Sequence, residues 1–243
     1  MNLAHQIVDY DCNGTALRGY ASWNQDAEGE LPLVLVIHEW WGVNDYIKSR
    51  VDSLASEGYA AMALDMYGEG QIAENPEQAN TMMMSVLNDM DSGTARLRAG
   101  FDAGCNLEVV DNNRVAAIGY CFGGAMALHM ARIGMPLKAS VSFHGALGSF
   151  HQPGPGEVRS SILVCHGEAD AMVSMDDVAA FKTEMDAANA DYVVNVYPDA
   201  PHGFTSREAD RNGEKYGIPV GYQEQADVAS WDAMMHLFGR TLS

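Results

Sequence analysis

The sequence contains few basic residues. Its 243 residues include 14 lysines and arginines against 33 aspartates and glutamates, which gives a formal net charge of −19 at pH 7. A protein that binds nucleic acid needs a basic surface to neutralise phosphates, and anionic membrane surfaces attract basic segments in the same way. The composition therefore argues against both kinds of partner and predicts a soluble surface whose like charges repel one another.

Long apolar runs and a targeting signal are also missing. No unbroken apolar stretch approaches the roughly 20 residues of a membrane span, and residues 1–6 lack the basic region and apolar core of a signal peptide. Only four cysteines are present, without paired spacing, which predicts reduced thiols and a cytoplasmic location. The length suits one α/β domain, and we expect residues 1–243 to form it.

Metal-binding patterns are absent from the histidines. No H-E-x-x-H segment or other paired-ligand spacing occurs among His38, His144, His151 and His166. The sequence therefore predicts neither a metal nor a cofactor, and it favours hydrogen-bonding roles for these histidines at the ends of strands.

What the chain does contain is a regular alternation of apolar strands and amphipathic helices. This pattern predicts an α/β fold with a mainly parallel central sheet and helices on both faces. The predicted strands cover residues 6–11, 16–22, 31–37, 60–64, 114–118, 137–143, 160–165 and 192–197. The predicted helices cover residues 45–57, 75–90, 94–107, 124–133, 176–189 and 223–238. We expect the first two strands to form an antiparallel edge.

The segment Gly119-Tyr120-Cys121-Phe122-Gly123 lies between a predicted strand and a predicted helix. This is the context of a nucleophile elbow, G-x-S-x-G, with cysteine in the serine position. The strand-to-helix turn exposes one side chain, and the helix N-terminus that follows favours a thiolate over a thiol. Cys121 is therefore the candidate nucleophile. The alternative is that Cys121 is a small core residue at a tight turn.

An acid and a base follow in chain order. Asp170 lies in the loop after the strand at residues 160–165, and His202 lies in the loop after the strand at residues 192–197. Nucleophile, acid and base in this order are typical of α/β-hydrolases. Because all three follow strands, a parallel sheet would gather them at one edge. The alternative for Asp170 and His202 is a role in capping their loops.

These segments resemble the dienelactone hydrolase family of α/β-hydrolases. The resemblance covers nearly the whole chain and is carried by five motifs: His38-Glu39-Trp40-Trp41-Gly42, Leu64-Asp65-Met66-Tyr67-Gly68, Gly119-Tyr120-Cys121-Phe122-Gly123-Gly124, His166-Gly167-x-x-Asp170 and Pro201-His202-Gly203-Phe204. It implies an α/β-hydrolase fold with Cys121 as nucleophile, His202 as base and Asp170 as its orienting partner. It also implies an oxyanion hole formed by the backbone N–H groups of Trp40 and Phe122.

The resemblance places Glu39 beside the resting cysteine. A carboxylate there favours a neutral thiol by like-charge repulsion, so we expect Glu39 to keep Cys121 unreactive until substrate arrives. The alternative is a structural loop residue.

Two features bear on the substrate. Family members that take dienelactone hold its carboxylate with two arginines, yet residues 68–94 contain none, and Ser206 occupies the second place with Arg207 one residue beyond. This departure argues against dienelactone as the natural substrate. Trp41 and its neighbour Trp40 predict apolar pocket walls, and Arg207 is the candidate partner for an anionic group.

The predicted function is hydrolysis of a small carboxylic ester or lactone through a thioester acyl-enzyme. Two alternatives stay open. The same three residues could act on thioesters or transfer acyl groups, or the domain could bind a small molecule without catalysis. The sequence does not indicate the oligomeric state.

Overall fold

The alternation of strands and helices predicted from the sequence is present in the computed structural model, which describes residues 2–243. The strands are β1 (Leu3–Cys12), β2 (Thr15–Asn24), β3 (Leu31–Ile37), β4 (Ala60–Leu64), β5 (Val110–Tyr120), β6 (Ala139–Phe143), β7 (Ser161–Gly167) and β8 (Tyr192–Tyr197). The helices are α1 (Asp45–Ser56), α2 (Pro76–Leu87), α3 (Met90–Cys105), α4 (Phe122–Arg132), α5 (Met175–Ala187), α6 (Ala209–Tyr216) and α7 (Glu224–Thr241).

The strands form a mostly parallel eight-stranded sheet in the order β1-β2-β4-β3-β5-β6-β7-β8. β1 pairs antiparallel with β2, and β2 pairs antiparallel with β4. The pairs β3–β4, β6–β7 and β7–β8 are parallel. The predicted α/β class and the antiparallel edge are confirmed. The chain divides into two compact units, one ending at Ala117 and one starting at Ile118, while the single domain over residues 1–243 stays a prediction.

In the first unit, β3 and β4 supply a core of small and branched side chains. All five residues of β4 are buried, which is why the strand reads as a continuous apolar run. Helix α1 packs Ile47, Val51 and Leu54 inward at helical spacing. Its N-terminus is capped by Asn44, whose side chain accepts a hydrogen bond from the Ile47 N–H at 3.1 Å. The predicted helix is confirmed.

The predicted boundary between α2 and α3 is wrong. The sequence favoured one helix up to residue 90 and a second from residue 94, whereas α2 ends at Leu87 and α3 begins at Met90. Asp89 sets the boundary because its carboxylate accepts a hydrogen bond from the Ser92 N–H at 3.1 Å. A side chain that caps a new helix competes with continuing the previous one.

The second unit builds its core between β7 and α5. Val178, Phe181 and Met185 form the buried face of α5, as predicted. They pack with Ile162 and Val164 of β7 in one apolar cluster. Helix α5 starts with a reciprocal capping box, in which the Ser174 side chain and the Asp177 side chain each bond the other residue's backbone.

Helix α6 was not predicted. Its residues are mostly polar, and Ala209 is its buried member, so it has no apolar stripe from which to infer a helix. It ends at Gly217, which adopts the left-handed conformation with φ 66°. Of the helices that the structure describes, none combines the length and the apolar character needed to cross a membrane.

Candidate active site

Cys121 is the single residue between β5 and α4, and its backbone is strained. It has φ 54° and ψ −115°, a positive φ that side chains other than glycine rarely adopt. The turn is held on both sides. The Cys121 N–H donates to the Phe143 carbonyl oxygen at 3.0 Å, and the Cys121 carbonyl accepts from the Gly124 N–H at 3.0 Å. Strain maintained in this way is a mark of functional sites.

The glycine at the start of the elbow is required by close packing. A Cβ on Gly119 would lie 1.9 Å from the Gly123 carbonyl oxygen, so no other residue fits without moving the backbone. Helix α4, which follows the elbow, is also held in place, because every one of its residues is buried. Cys121 therefore has a rigid position at the positive end of the α4 dipole, where negative charge on its sulfur is stabilised.

Asp170 lies in the loop after β7 and is fully hydrogen-bonded. One carboxylate oxygen, Oδ1, accepts from the N–H groups of Met172 and Val173 at 2.8 and 3.0 Å. The other, Oδ2, lies 2.8 Å from His202 Nδ1. Burial raises the pKa of this carboxyl group, but the hydrogen bond and charge of His202 outweigh that effect and lower it overall. Asp170 is therefore ionised at neutral pH.

The loop that carries His202 follows β8 and is anchored in two ways. The His202 carbonyl accepts from the Gly221 N–H at 3.0 Å, and His202 forms an isolated parallel bridge with Val220. Gly167, at the end of β7, allows this loop to approach: a Cβ there would lie 2.2 Å from the Ala200 carbonyl oxygen. The approach brings the Asp170 and His202 loops into hydrogen-bonding contact.

The electrostatics of His202 link it to Cys121. Burial is the largest single effect on the pKa of His202 and lowers it, but the charge of Cys121 and the interactions with Asp170 together raise it to about 10. Within residues 2–243, His202 Nε2 makes no hydrogen bond of ordinary geometry. The ring is thus held by Asp170 through Nδ1, and Nε2 is left to exchange a proton. The structure places Asp170 in hydrogen-bonding contact with His202, and the charge of Cys121 acts on the same ring. The catalytic roles of the three residues stay a prediction.

In the first unit, the loop after β3 holds Glu39, Trp40 and Trp41. Glu39 is buried, with 7% of its surface exposed. The Trp40 carbonyl accepts a hydrogen bond from the Tyr67 hydroxyl at 2.9 Å, and the Trp41 carbonyl accepts from the Ala73 N–H at 2.9 Å. These bonds fix the peptide planes on either side of Trp41. The two indole rings contact edge to face, with centroids 5.1 Å apart.

Arg207 is exposed, and its guanidinium carbon lies 5.9 Å from the centre of the Tyr222 ring. This contact is a cation–π arrangement at the surface. No described contact joins Arg207 to Cys121, Asp170 or His202, and its role in substrate binding stays a prediction. Among residues 2–243, no cluster of three or more His, Cys, Asp and Glu side chains could hold a metal ion.

His144 is a residue near the site that sequence reasoning assigned only to strand-end hydrogen bonding. It follows β6 directly, is fully buried, and has a positive φ of 41°. Its ring meets that of His202 edge to face, with centroids 5.2 Å apart. No local pattern in the sequence could have predicted this contact, because 58 residues separate the two histidines and only the tertiary fold joins them.

Comparisons with known proteins identify the family of the chain. Residues 17–242 match the family model "Dienelactone hydrolase family". Protein usf of Aquifex pyrophilus is 30% identical over 84% of this chain and 88% of its own. A protein of Aquifex aeolicus (strain VF5) named "Putative carboxymethylenebutenolidase" is also 30% identical, over the same shares of the two chains.

A solved structure gives the same result for the fold. The crystal structure of P91, a dienelactone hydrolase-like promiscuous phosphotriesterase from metagenomic libraries, superposes with a TM-score of 0.91 at 34% identity and covers 100% of both chains. The fold and the comparisons thus define an α/β-hydrolase that acts as a carboxylic ester hydrolase. Within that class, the chain belongs to the dienelactone hydrolase family.

Proposed function

We propose that the protein hydrolyses small, uncharged carboxylic esters or lactones through Cys121, His202 and Asp170, with a thioester acyl-enzyme intermediate. The observation that carries the proposal is the connected set in the second unit. Asp170 Oδ2 lies 2.8 Å from His202 Nδ1. Burial lowers the pKa of His202, but the charge of Cys121 and the interactions with Asp170 together raise it to about 10. A nucleophile, a base and an orienting acid in contact are the requirements for covalent acyl transfer.

The acylation step uses the thiolate and the imidazolium together. The Cys121 sulfur attacks the carbonyl carbon, and the carbonyl electron pair moves onto oxygen to form a tetrahedral oxyanion. As the oxyanion collapses, the C–O bond to the leaving group breaks, and His202 Nε2 gives its proton to the departing oxygen. The products are the thioester and an alcohol, which stays attached to the acyl group when the substrate is a lactone.

We assign the oxyanion hole to the N–H groups of Trp40 and Phe122, following the family resemblance. Phe122 is the first residue of α4, at the positive end of its dipole. The Trp40 N–H belongs to the Glu39–Trp40 peptide, whose carbonyl accepts a hydrogen bond from the Gly42 N–H at 3.4 Å. This bond supports a preorganised peptide in the loop. Each such donor stabilises the transition state by about 3 kcal/mol.

Deacylation reverses the roles of the groups. His202 is now neutral and removes a proton from water through Nε2, and the water oxygen attacks the thioester carbonyl. The second oxyanion collapses and expels the Cys121 thiolate, which releases the carboxylic acid and restores the ion pair with His202. Asp170 holds Nδ1–H throughout, which keeps the same ring edge available for the proton transfers.

Glu39 is proposed to act on the resting enzyme. Its carboxylate is buried, and a buried negative charge close to the sulfur would oppose the Cys121–His202 ion pair, which shifts part of the resting enzyme toward the neutral thiol. Substrate that displaces the carboxylate would then release the thiolate for attack. This assignment rests on the family resemblance, and Glu39→Gln is expected to raise the rate of Cys121 alkylation in the absence of substrate.

The substrate class follows from charge and from the indoles. With a net charge of −19, the overall field does not attract anionic substrates. The Trp40–Trp41 pair supplies apolar surface in the loop that carries the proposed oxyanion donor. An uncharged acyl or aryl ester suits both features better than a carboxylate-bearing dienelactone does. The binding partner is thus a small molecule, and the four free cysteines support a cytoplasmic setting.

A second candidate activity is the hydrolysis of uncharged phosphotriesters. It is favoured by the full-length likeness to P91, whose name records a promiscuous phosphotriesterase. The Cys121 sulfur would attack phosphorus and expel an aryloxide that takes the His202 proton. Water would then cleave the S–P bond to leave a phosphodiester.

The test compares Cys121→Ala and Cys121→Ser with the parent enzyme on aryl acetates, simple lactones, dienelactone and an aryl dialkyl phosphate. We expect Cys121→Ala to lose activity on every substrate that the parent enzyme hydrolyses. Mass spectrometry of a quenched reaction should show the acyl group on Cys121. Retention of esterase activity by Cys121→Ala above the rate of a heat-denatured sample would remove the assignment.

A further inference from the structure

We propose that His144 is a positioning residue for His202, and that Thr205 fixes His144 in that role. The inference rests on the proposed function, since it assumes that His202 is the catalytic base. It starts from the contacts of one buried histidine that the triad itself does not use.

The His144 ring is surrounded by the loop that carries His202. Its centroid lies 5.2 Å from that of His202, at an interplanar angle of 64°, and 5.2 Å from that of Phe204. Its Nε2 lies 2.8 Å from the Thr205 hydroxyl oxygen. Three residues of the four-residue segment 202–205 thus contact the side chain of His144, which directly follows β6. The His144 side chain and this loop cannot move independently.

The backbone at the end of β6, where His144 lies, is hydrogen-bonded to Cys121. Phe143 accepts the hydrogen bond from the Cys121 N–H at 3.0 Å, and His144 follows it directly. The His144 N–H in turn donates to the Cys165 carbonyl in β7 at 2.8 Å. The end of β6 therefore fixes the amide of the nucleophile through one residue and the ring of the base through the next.

The conformation of His144 is an independent observation. Its φ of 41° is positive, in a residue whose side chain is fully buried. Such a conformation persists only where the surroundings hold it, and it is concentrated at functional sites. Cys121 has the same kind of backbone, with φ 54°. Both strained residues end a strand, and both contact the His202 system.

The physical role follows from how His202 is held. The Asp170 bond fixes Nδ1 but leaves the ring able to swing about that contact. The edge-to-face packing of His144 blocks one direction of this swing and so restricts Nε2 to the direction of Cys121. Proton transfer is sensitive to such placement, because displacing a reacting group by about 1 Å can reduce the rate about a hundredfold.

The experiment uses His144→Asn, because asparagine tolerates a positive φ and removes the ring. Thr205→Val keeps the shape of the side chain but removes the hydroxyl, and Thr205→Ser restores it. The matched control is His129→Asn, a buried histidine of α4 whose ring packs against Phe150 with centroids 6.1 Å apart. For each variant, kcat and KM on a p-nitrophenyl ester, the melting temperature and the alkylation rate of Cys121 are measured.

We expect His144→Asn to lower kcat by about tenfold or more while KM changes by less than about twofold. Alkylation of Cys121 at neutral pH, followed on the Cys121 peptide by mass spectrometry, should slow as well. Thr205→Val should show a smaller loss of the same kind, Thr205→Ser should recover the parent kcat, and His129→Asn should keep kcat per folded molecule.

The inference is overturned if folded His144→Asn keeps the parent kcat, if only KM rises, or if the loss matches the loss of folded protein. If His144→Asn does not fold, Thr205→Val and Thr205→Ser decide by the same criteria. The two proposals fail differently. Activity in Cys121→Ala removes the proposed function, whereas an inactive Cys121→Ala together with an unaffected His144→Asn removes only the role of His144.

Discussion

Asp65 and Asp170 each follow a buried parallel strand, and each accepts hydrogen bonds from the backbone of the next few residues. Asp65 comes directly after β4. Its Oδ1 accepts from Tyr67 and Gly68 at 2.8 and 2.9 Å, and its Oδ2 accepts from Arg18 and Gly70 at 3.0 and 2.8 Å. All four partners are backbone N–H groups, so this carboxylate holds a loop in shape.

Asp170 uses the same local design with one change. Its Oδ1 accepts from two backbone N–H groups, as in Asp65, but its Oδ2 faces the ring of His202 at 2.8 Å. Replacing a backbone donor by a titratable ring turns a loop-shaping carboxylate into one that acts on a proton. Both residues are aspartates and both follow a strand, so neither feature distinguishes the two loops. They differ in the partner of Oδ2, which is backbone N–H in the Asp65 loop and the His202 ring in the Asp170 loop.

The largest expected effect on this comparison comes from Asp170→Asn. The amide keeps the size of the side chain but removes the charge that orients His202 and stabilises its protonated form. We expect kcat to fall by about a thousandfold or more, with only a modest fall in melting temperature. Steady-state kinetics and thermal unfolding measure the two effects. A kcat within tenfold of the parent value would place Asp170 with Asp65 as a loop-shaping residue.

Asp65→Asn should show the opposite profile. An amide NH₂ cannot accept, so two of the four backbone N–H donors lose their partner inside a buried loop. We expect the free energy of unfolding to fall by about 3 kcal/mol, measured by urea denaturation. The comparison breaks down if Asp65→Asn is as stable as the parent enzyme. It also breaks down if Asp65→Asn loses no more stability than Asp170→Asn does.

The third prediction concerns the pKa of His202, the ring that is hydrogen-bonded to Asp170 Oδ2. The charge of Cys121 is the largest effect that raises this pKa to about 10. In Cys121→Ala the pKa should therefore fall below about 10, which an NMR titration of the His202 ring proton would detect. In the parent enzyme, activity that needs the imidazolium should persist at alkaline pH and decline as pH rises through about 10. An identical His202 titration in both proteins would contradict the assigned ion pair.

The smallest effect is expected at Arg207. Its exposure and its contact with Tyr222 leave it weakly coupled to the site, and exposed charges contribute little in water. We expect Arg207→Ala to change kcat/KM for an uncharged ester by less than about twofold. The matched control is Arg211→Ala, another exposed arginine, which pairs with Glu208. A large loss confined to Arg207→Ala on an ester bearing a carboxylate would restore an anion-binding role.

Much of the fold could be predicted from local patterns. β4 matches its predicted residues 60–64 because a fully buried strand leaves a continuous apolar run. The α1 cap is also a local feature, because the Asn44 hydrogen bond spans only three residues. The α2–α3 boundary was misplaced because Asp89 looks like any polar helix residue until its cap is formed. Helix α6 was missed because a mostly polar helix has no apolar stripe.

Some features of the candidate site could be predicted from local patterns, and others could not. Cys121, Asp170 and His202 could be proposed from motifs, since each lies at a fixed place after a strand. The edge-to-face contact of His144 with His202 could not, because the two rings meet through the pairing of β6, β7 and β8. The predicted roles of Trp40, Phe122, Glu39, Trp41 and Arg207 remain open to the experiments described above.

The sequence by itself determined the order of the elements, the glycine that the elbow requires and the order of Cys121, Asp170 and His202 along the chain. These depend on hydrophobic periodicity and on backbone sterics, which act over a few residues. Only the tertiary structure decided how the side chains of Asp170 and His202 meet and which histidine packs beside His202. Such contacts join residues far apart in the chain, and their geometry exists only once the parallel strands are paired.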